Sequence, residues 1–104
     1  MTPAMPMDQM RETATGLAAT LKALAHRDRL LLLCRLSAGE ASVGELSEAS
    51  GLRQAAVSQH LAVLREAGAV AARTDQQSRI YSISDPQVER MFEALCTICT
   101  EEMT

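Results

Sequence analysis

The feature that most constrains this chain is a run of helix punctuation at its centre. Ser42-Val43-Gly44-Glu45 has capping-box spacing: the serine hydroxyl accepts from the glutamate amide, and the glutamate carboxylate reaches back to the serine amide. It opens a short helix through Ala49. Ser50-Gly51-Leu52 then breaks the chain, Gly supplying a turn conformation that other residues resist. The next helix, Gln54 to Ala67, carries Val57, Leu61 and Leu64 on one face and stops at Gly68, a C-terminal capping residue. Its opposite face shows Gln54, Ala55, Ser58, Gln59 and Arg65. A short capped helix, a glycine turn and a helix with polar first turns make a helix-turn-helix.

The flanks complete the pattern. Between Asp8 and Ala25 the apolar residues Met10, Ala14, Leu17, Leu21 and Leu24 recur at steps of four and three, which predicts a helix with one apolar stripe. A Leu-rich helix is expected over Arg27 to Ser37, stopping near Gly39. Val70 to Thr74 and Arg79 to Ser84 read as two strands joined by a four-residue polar loop, Asp75-Gln76-Gln77-Ser78. Asp85 as N-cap and Pro86 at the first helical position restart a helix with a stripe of Val88, Phe92, Leu95 and Cys99. The chain of 104 residues is thus expected to be a single mainly-α domain over 1–104 with a β-hairpin wing, in the order α-α-α-α-β-β-α, with residues 1–8 frayed.

Composition excludes several alternatives. One Phe, one Tyr and no Trp cannot build the stacking platform that single-stranded nucleic acid needs. No apolar run approaches the ~20 residues that span a bilayer, and Met1 to Met10 shows no secretory pattern, so no membrane partner is expected. Three cysteines, an odd number, fit a reducing cytoplasm. The net charge is −3, but residues 52–79 carry Arg53, Arg65, Arg73 and Arg79 against Glu66 and Asp75, while both flanks are net acidic. One basic middle segment suits a single DNA-facing surface, although a solvated mixed surface reads the same way.

The runs Leu21-Lys22-Ala23-Leu24-Ala25-His26-Arg27-Asp28-Arg29-Leu30, Ser42-Val43-Gly44-Glu45-Leu46, Val57-Ser58-Gln59-His60-Leu61 and Leu64-Arg65-Glu66-Ala67-Gly68 together resemble the ArsR/SmtB family of homodimeric bacterial winged-helix repressors. Two departures are Arg27, where the family usually has Pro, and Gln76-Gln77 at the wing tip, where it usually has Gly. The resemblance implies a reader of double-stranded, palindromic operator DNA. Gln54 and Gln59 suit bidentate pairing with adenine, and Ser58 a base or phosphate. Arg53 and Arg65 suit phosphate, Arg73 and Arg79 the minor groove or backbone, and His60 either a phosphate or a packing role. Apolar residues on the first and last helices (Leu17, Leu21, Leu24; Val88, Met91, Leu95, Ile98) exceed what one chain can bury, and in the family these helices form the two-fold interface.

The family's metal sensors use His and carboxylate pairs on the last helix, or Cys in the third; this chain has neither. Its only histidines, His26 and His60, sit in different helices without a nearby Cys, so a tetrahedral nitrogen-and-sulfur metal site is not expected and no cofactor is called for. There remain Cys34, Cys96 and Cys99. Each also suits a small buried hydrophobe. The pattern resembles the family's sulfide- and redox-responsive branch, in which a second-helix Cys faces another near the end of the last helix. Cys34 falls on the first position. The second falls on Thr100, with Cys99 turned by ~100° and Cys96 one turn earlier on the same face. The implied function is repression relieved by a disulfide or polysulfide link between those helices. The alternative is arsenite or antimonite held by the three thiolates of Cys34, Cys96 and Cys99. A thiol enzyme is not expected: Cys-x-x-Cys acts at a helix N-terminus, and here it lies near a C-terminus beside Glu101 and Glu102.

Overall fold

The computed structural model describes the backbone of residues 6–103 and the side chains of residues 6–98. The order is α1 (Met7–Leu24), α2 (Arg27–Ser37), β1 (Ala41–Ser42), α3 (Val43–Ser50), α4 (Gln54–Glu66), β2 (Val70–Asp75), β3 (Ser78–Ile83) and α5 (Pro86–Met103). The winged helix-turn-helix is therefore the observed fold. Helix α1 runs from Met7, so the expected frayed stretch reaches into its first turn, and residues 1–5 lie outside the described residues.

The local signals act as the sequence demands. The Glu45 amide donates to Ser42 Oγ at 3.1 Å, and the Ser42 amide to Glu45 Oε1 at 2.9 Å, closing the capping box of α3. Gly51, at φ +76°, ends that helix by donating its N–H to the Ser47 carbonyl. Helix α4 ends in a Schellman motif: the Gly68 amide reaches the Arg65 carbonyl and the Ala69 amide the Leu64 carbonyl, which requires the positive φ of +80° at Gly68. At the head of α5 the Gln87 amide donates to Asp85 Oδ1 at 2.9 Å.

The sheet differs from expectation in two ways. Among the described residues it has three strands in the order β1-β3-β2, because Ala41 and Ser42 pair antiparallel with Tyr81 and Ile80. A two-residue strand has no periodicity to read; only its partner makes it one. The wing is also tighter, since Asp75 pairs with Ser78 and the connection shrinks to Gln76-Gln77. Gln76 takes φ +58°, where a tight hairpin favours Gly.

Leu32, Leu33 and Leu36 of α2, Leu46 of α3, Val57, Leu61 and Leu64 of α4, Tyr81 of β3, and Val88 and Phe92 of α5 form one core. The stripe on α5 therefore splits. Val88 and Phe92 are buried in the chain's own core, whereas Leu95 and Ile98 remain 42% and 51% exposed. That corrects the placement of Val88 in an intermolecular interface, since it has no surface left to offer. On α1 only Leu24 is buried, and Leu21 stays 50% exposed.

Candidate nucleic-acid interface and thiol pair

Helix α4 presents Gln54, Ala55, Ser58, Gln59, Ala62 and Arg65 to solvent while Val57, Leu61 and Leu64 anchor its other side. Arg53 sits at its N-cap, exposed, and no side chain caps the first turn. Wing and helix meet in one continuous concavity: Gln54 and Ser58 face Ser78 and Arg79 at one end, and Ser58, Ala62 and Arg65 face Arg79 and Tyr81 at the other. Glu66 lines it too. The Arg79 guanidinium sits 5.9 Å from the Tyr81 ring centroid, a cation–π contact that holds it over the helix-turn-helix side of the wing.

Arg73 lies outside this concavity, and of the two roles open to His60 its position fits packing. Side chains alternate across a strand, so directly paired residues share a face. Arg73 pairs with Ile80 and therefore lies on the sheet face opposite to Arg79 and Tyr81. There its Nη2 donates to Glu40 Oε1 at 2.6 Å and its Nε to Oε2 at 3.3 Å. The hydrogen bond from Arg73 holds the Glu40 carboxyl below its usual pKa, and the same bond raises that of Arg73. Arg73 is thus a neutralised pair on the outer face, not a cation in the concavity. His60 points inward: its side chain is 18% exposed, and its ring lies 4.6 Å from that of His26 at a tilt of 49°. Its Nε2 is 3.8 Å from Asp28 Oδ2. Burial, then the charges of His26 and Arg29, hold the His60 imidazole below its usual pKa. The packing alternative fits the helix geometry, because His60 follows Gln59 by one step of ~100° and falls on the helix's inner flank.

The two histidines that the sequence separates are therefore neighbours. His26 caps α2, its Nδ1 accepting from the Asp28 amide at 3.1 Å, and the Asp28 carboxylate lies beside His60 as well.

Cys34 and Cys96 are both half-buried, Cys34 against the core. Ser37, a residue the sequence pattern did not single out, links α2 to Cys96. Its hydroxyl donates to the Cys34 carbonyl at 2.6 Å and lies 3.6 Å from Cys96 Sγ. The C-terminal turn of α2 and the middle of α5 are thus in contact at the Cys34 end. The side chains of Cys99 and Thr100 lie outside the described residues.

Leu21, Leu24, Ala25, Leu30, Met91, Phe92 and Leu95 line an almost wholly apolar groove between α1, α2 and α5, with Leu17 half-buried further along α1 and Ile98 exposed further along α5. No helix among the described residues is long and apolar enough to cross a membrane.

Comparison with known proteins gives one answer. The profile described as bacterial regulatory protein, arsR family, matches residues 26–72. The biofilm growth-associated repressor of Agrobacterium fabrum is 43% identical over 94% of this chain and 85% of its own length. The reduced form of HlyU from Vibrio cholerae, a protein described as a transcriptional activator, superposes with a TM-score of 0.83 at 41% identity, covering 86% of this chain and 95% of that one. The homodimeric winged helix-turn-helix DNA-binding domain of Mb0332 from Mycobacterium bovis superposes with a TM-score of 0.77 at 29% identity, covering 97% and 94%. These relatives are regulators of transcription, not enzymes.

Proposed function

This chain belongs to the ArsR family of bacterial transcriptional regulators, and from that premise we propose that it is a cytoplasmic, homodimeric repressor released from a palindromic operator by chemistry at its cysteines. The contact of the Ser37 hydroxyl with the Cys96 thiol carries the proposal, because Ser37 lies one turn from Cys34 on α2 and so brings that end of the helix against α5.

Helix α4 enters the major groove, where Gln54 and Gln59 read base edges and Ser58 meets a base or phosphate. Arg53, Arg65 and Arg79 neutralise phosphates, and the first turn of α4, which no side chain caps, favours another. The apolar groove of α1 and α5 is covered by the second subunit through Leu17, Leu21, Met91, Leu95 and Ile98, as the named homodimeric relative supports. The two-fold axis then fixes the half-site spacing.

The switch runs through a persulfide or a peroxide. A low-molecular-weight persulfide transfers its outer sulfur to one cysteine thiolate and leaves as the thiol. The second cysteine attacks the inner sulfur of that protein persulfide, forming the disulfide and expelling hydrogen sulfide. With peroxide the first product is a sulfenic acid, and the second thiol closes the same bond with loss of water. The disulfide requires Cα atoms about 4.4–6.8 Å apart, so closing it pulls α5 against α2 and re-angles the dimer that α5 helps to build. Cys34 pairs with Cys96 or Cys99 in this scheme. The second reading, a trivalent metalloid such as arsenite on Cys34, Cys96 and Cys99, rests on the number of thiols and on soft-ion selectivity.

The test is operator release by single Cys34→Ser, Cys96→Ser and Cys99→Ser variants exposed separately to glutathione persulfide, peroxide and arsenite. Release by persulfide that Cys34→Ser abolishes is the expected result. Full release in Cys34→Ser overturns the pairing, and release by arsenite alone favours the metalloid reading.

A further inference from the structure

At the N-terminus of α2, we propose that His26, Asp28 and His60 form a site for a borderline divalent cation of the zinc class. One imidazole nitrogen from each histidine and one carboxylate oxygen all lie within 4.8 Å of one another. Two neutral imidazoles and a carboxylate, with water in the fourth position, form a donor set suited to Zn2+.

The geometry asks for little movement. Tetrahedral zinc with bonds of about 2.0–2.1 Å places its ligands roughly 3.3 Å apart, so the donors close by no more than about 1.5 Å. His26 is exposed and Asp28 half-buried, so both side chains have room to rotate. Arg27 lies 3.6 Å from Asp28 through Oδ1, which leaves Oδ2, the oxygen already turned to His60, to meet the cation.

The ion competes with one interaction. His26 Nδ1 now accepts from the Asp28 amide, and an imidazole that ligates through either nitrogen gives up that acceptor. Metal binding therefore exchanges the cap of α2 for a clamp that fastens the first turn of α2 to the middle of α4. His60 directly follows Gln59, so the clamp sits behind the recognition surface and fixes its setting.

The experiment titrates Zn2+ alone into the full chain carrying Cys34→Ser, Cys96→Ser and Cys99→Ser, which removes the competing thiolates. Competition with a chromophoric chelator should give one ion per chain, and the imidazole C–H signals of both histidines should move in proton NMR. His26→Asn keeps a good N-cap acceptor and removes one ligand, and Asp28→Asn removes another; each should weaken zinc binding at least tenfold. Binding that His26→Asn leaves unchanged, or none at one equivalent, overturns the proposal. If the cysteine-free chain fails to fold, the unsubstituted protein decides by the same NMR titration: both imidazole signals move on adding zinc, or the site does not exist.

Discussion

Arg73 and Arg79 sit six residues apart on one hairpin, yet the sheet puts them on opposite faces, and that difference is measurable on DNA. Arg79 shares a concavity with Gln54, Ser58 and Arg65, while Arg73 is bound to Glu40 on the outer face. Each neutralised phosphate contributes about 0.9 to the slope of log affinity against log salt. Arg79→Ala removes one contact per subunit, so the slope for a dimer on its operator should fall by about 1.8. Between 50 and 200 mM salt, wild-type affinity should therefore drop roughly tenfold further than that of Arg79→Ala. Arg73→Ala should leave the slope unchanged, because it removes no uncompensated charge from the concavity. The assay is fluorescence anisotropy on an operator fragment across that salt range, with thermal midpoints confirming that each variant is folded. Arg79→Lys should restore most of the slope. An Arg73→Ala slope reduced as much as that of Arg79→Ala would refute the face assignment.

Ser42→Ala should lower stability by about 1 kcal/mol in urea unfolding, since it leaves the Glu45 amide without its acceptor. Hydrogen bonds from the Ser42 amide and hydroxyl hold the Glu45 carboxyl below its usual pKa of 4.5, so its stabilisation is full above that value and fades as pH falls through the lowered one; wild type should lose more stability than Glu45→Gln between about pH 5 and 3. Leu21→Glu or Leu95→Glu places a charge in the apolar groove and should shift the protein to monomers in sedimentation velocity while its circular dichroism stays helical. Gln76→Gly relieves a left-handed residue at the wing tip and should raise stability by roughly 0.5–1 kcal/mol in the same urea assay.

What the sequence made legible was local. The capping box at Ser42 and Glu45, the stops at Gly51 and Gly68, and the Asp85-Pro86 restart each rest on interactions within a few residues, and the helix-turn-helix follows from them. What stayed hidden depends on residues far apart in the chain. Strand β1 exists only against β3, Glu40 claims Arg73 across 33 residues, and Ser37 meets Cys96 across 59. Helical periodicity marks a side as apolar without saying whose core it enters, so Val88 could not be separated from Leu95. His60 stayed open between phosphate and packing for a related reason: a polar residue one step from an exposed face suits either role until its neighbour across the fold, His26, is seen.

The most direct measurement combines peptide mapping by mass spectrometry with operator affinity after the reduced dimer meets glutathione persulfide. A peptide pair joined between Cys34 and either Cys96 or Cys99 should appear in step with loss of DNA binding and be reversed by dithiothreitol. Full affinity in a sample that is completely cross-linked, or loss of affinity with Cys34 unmodified, would contradict the cysteine switch.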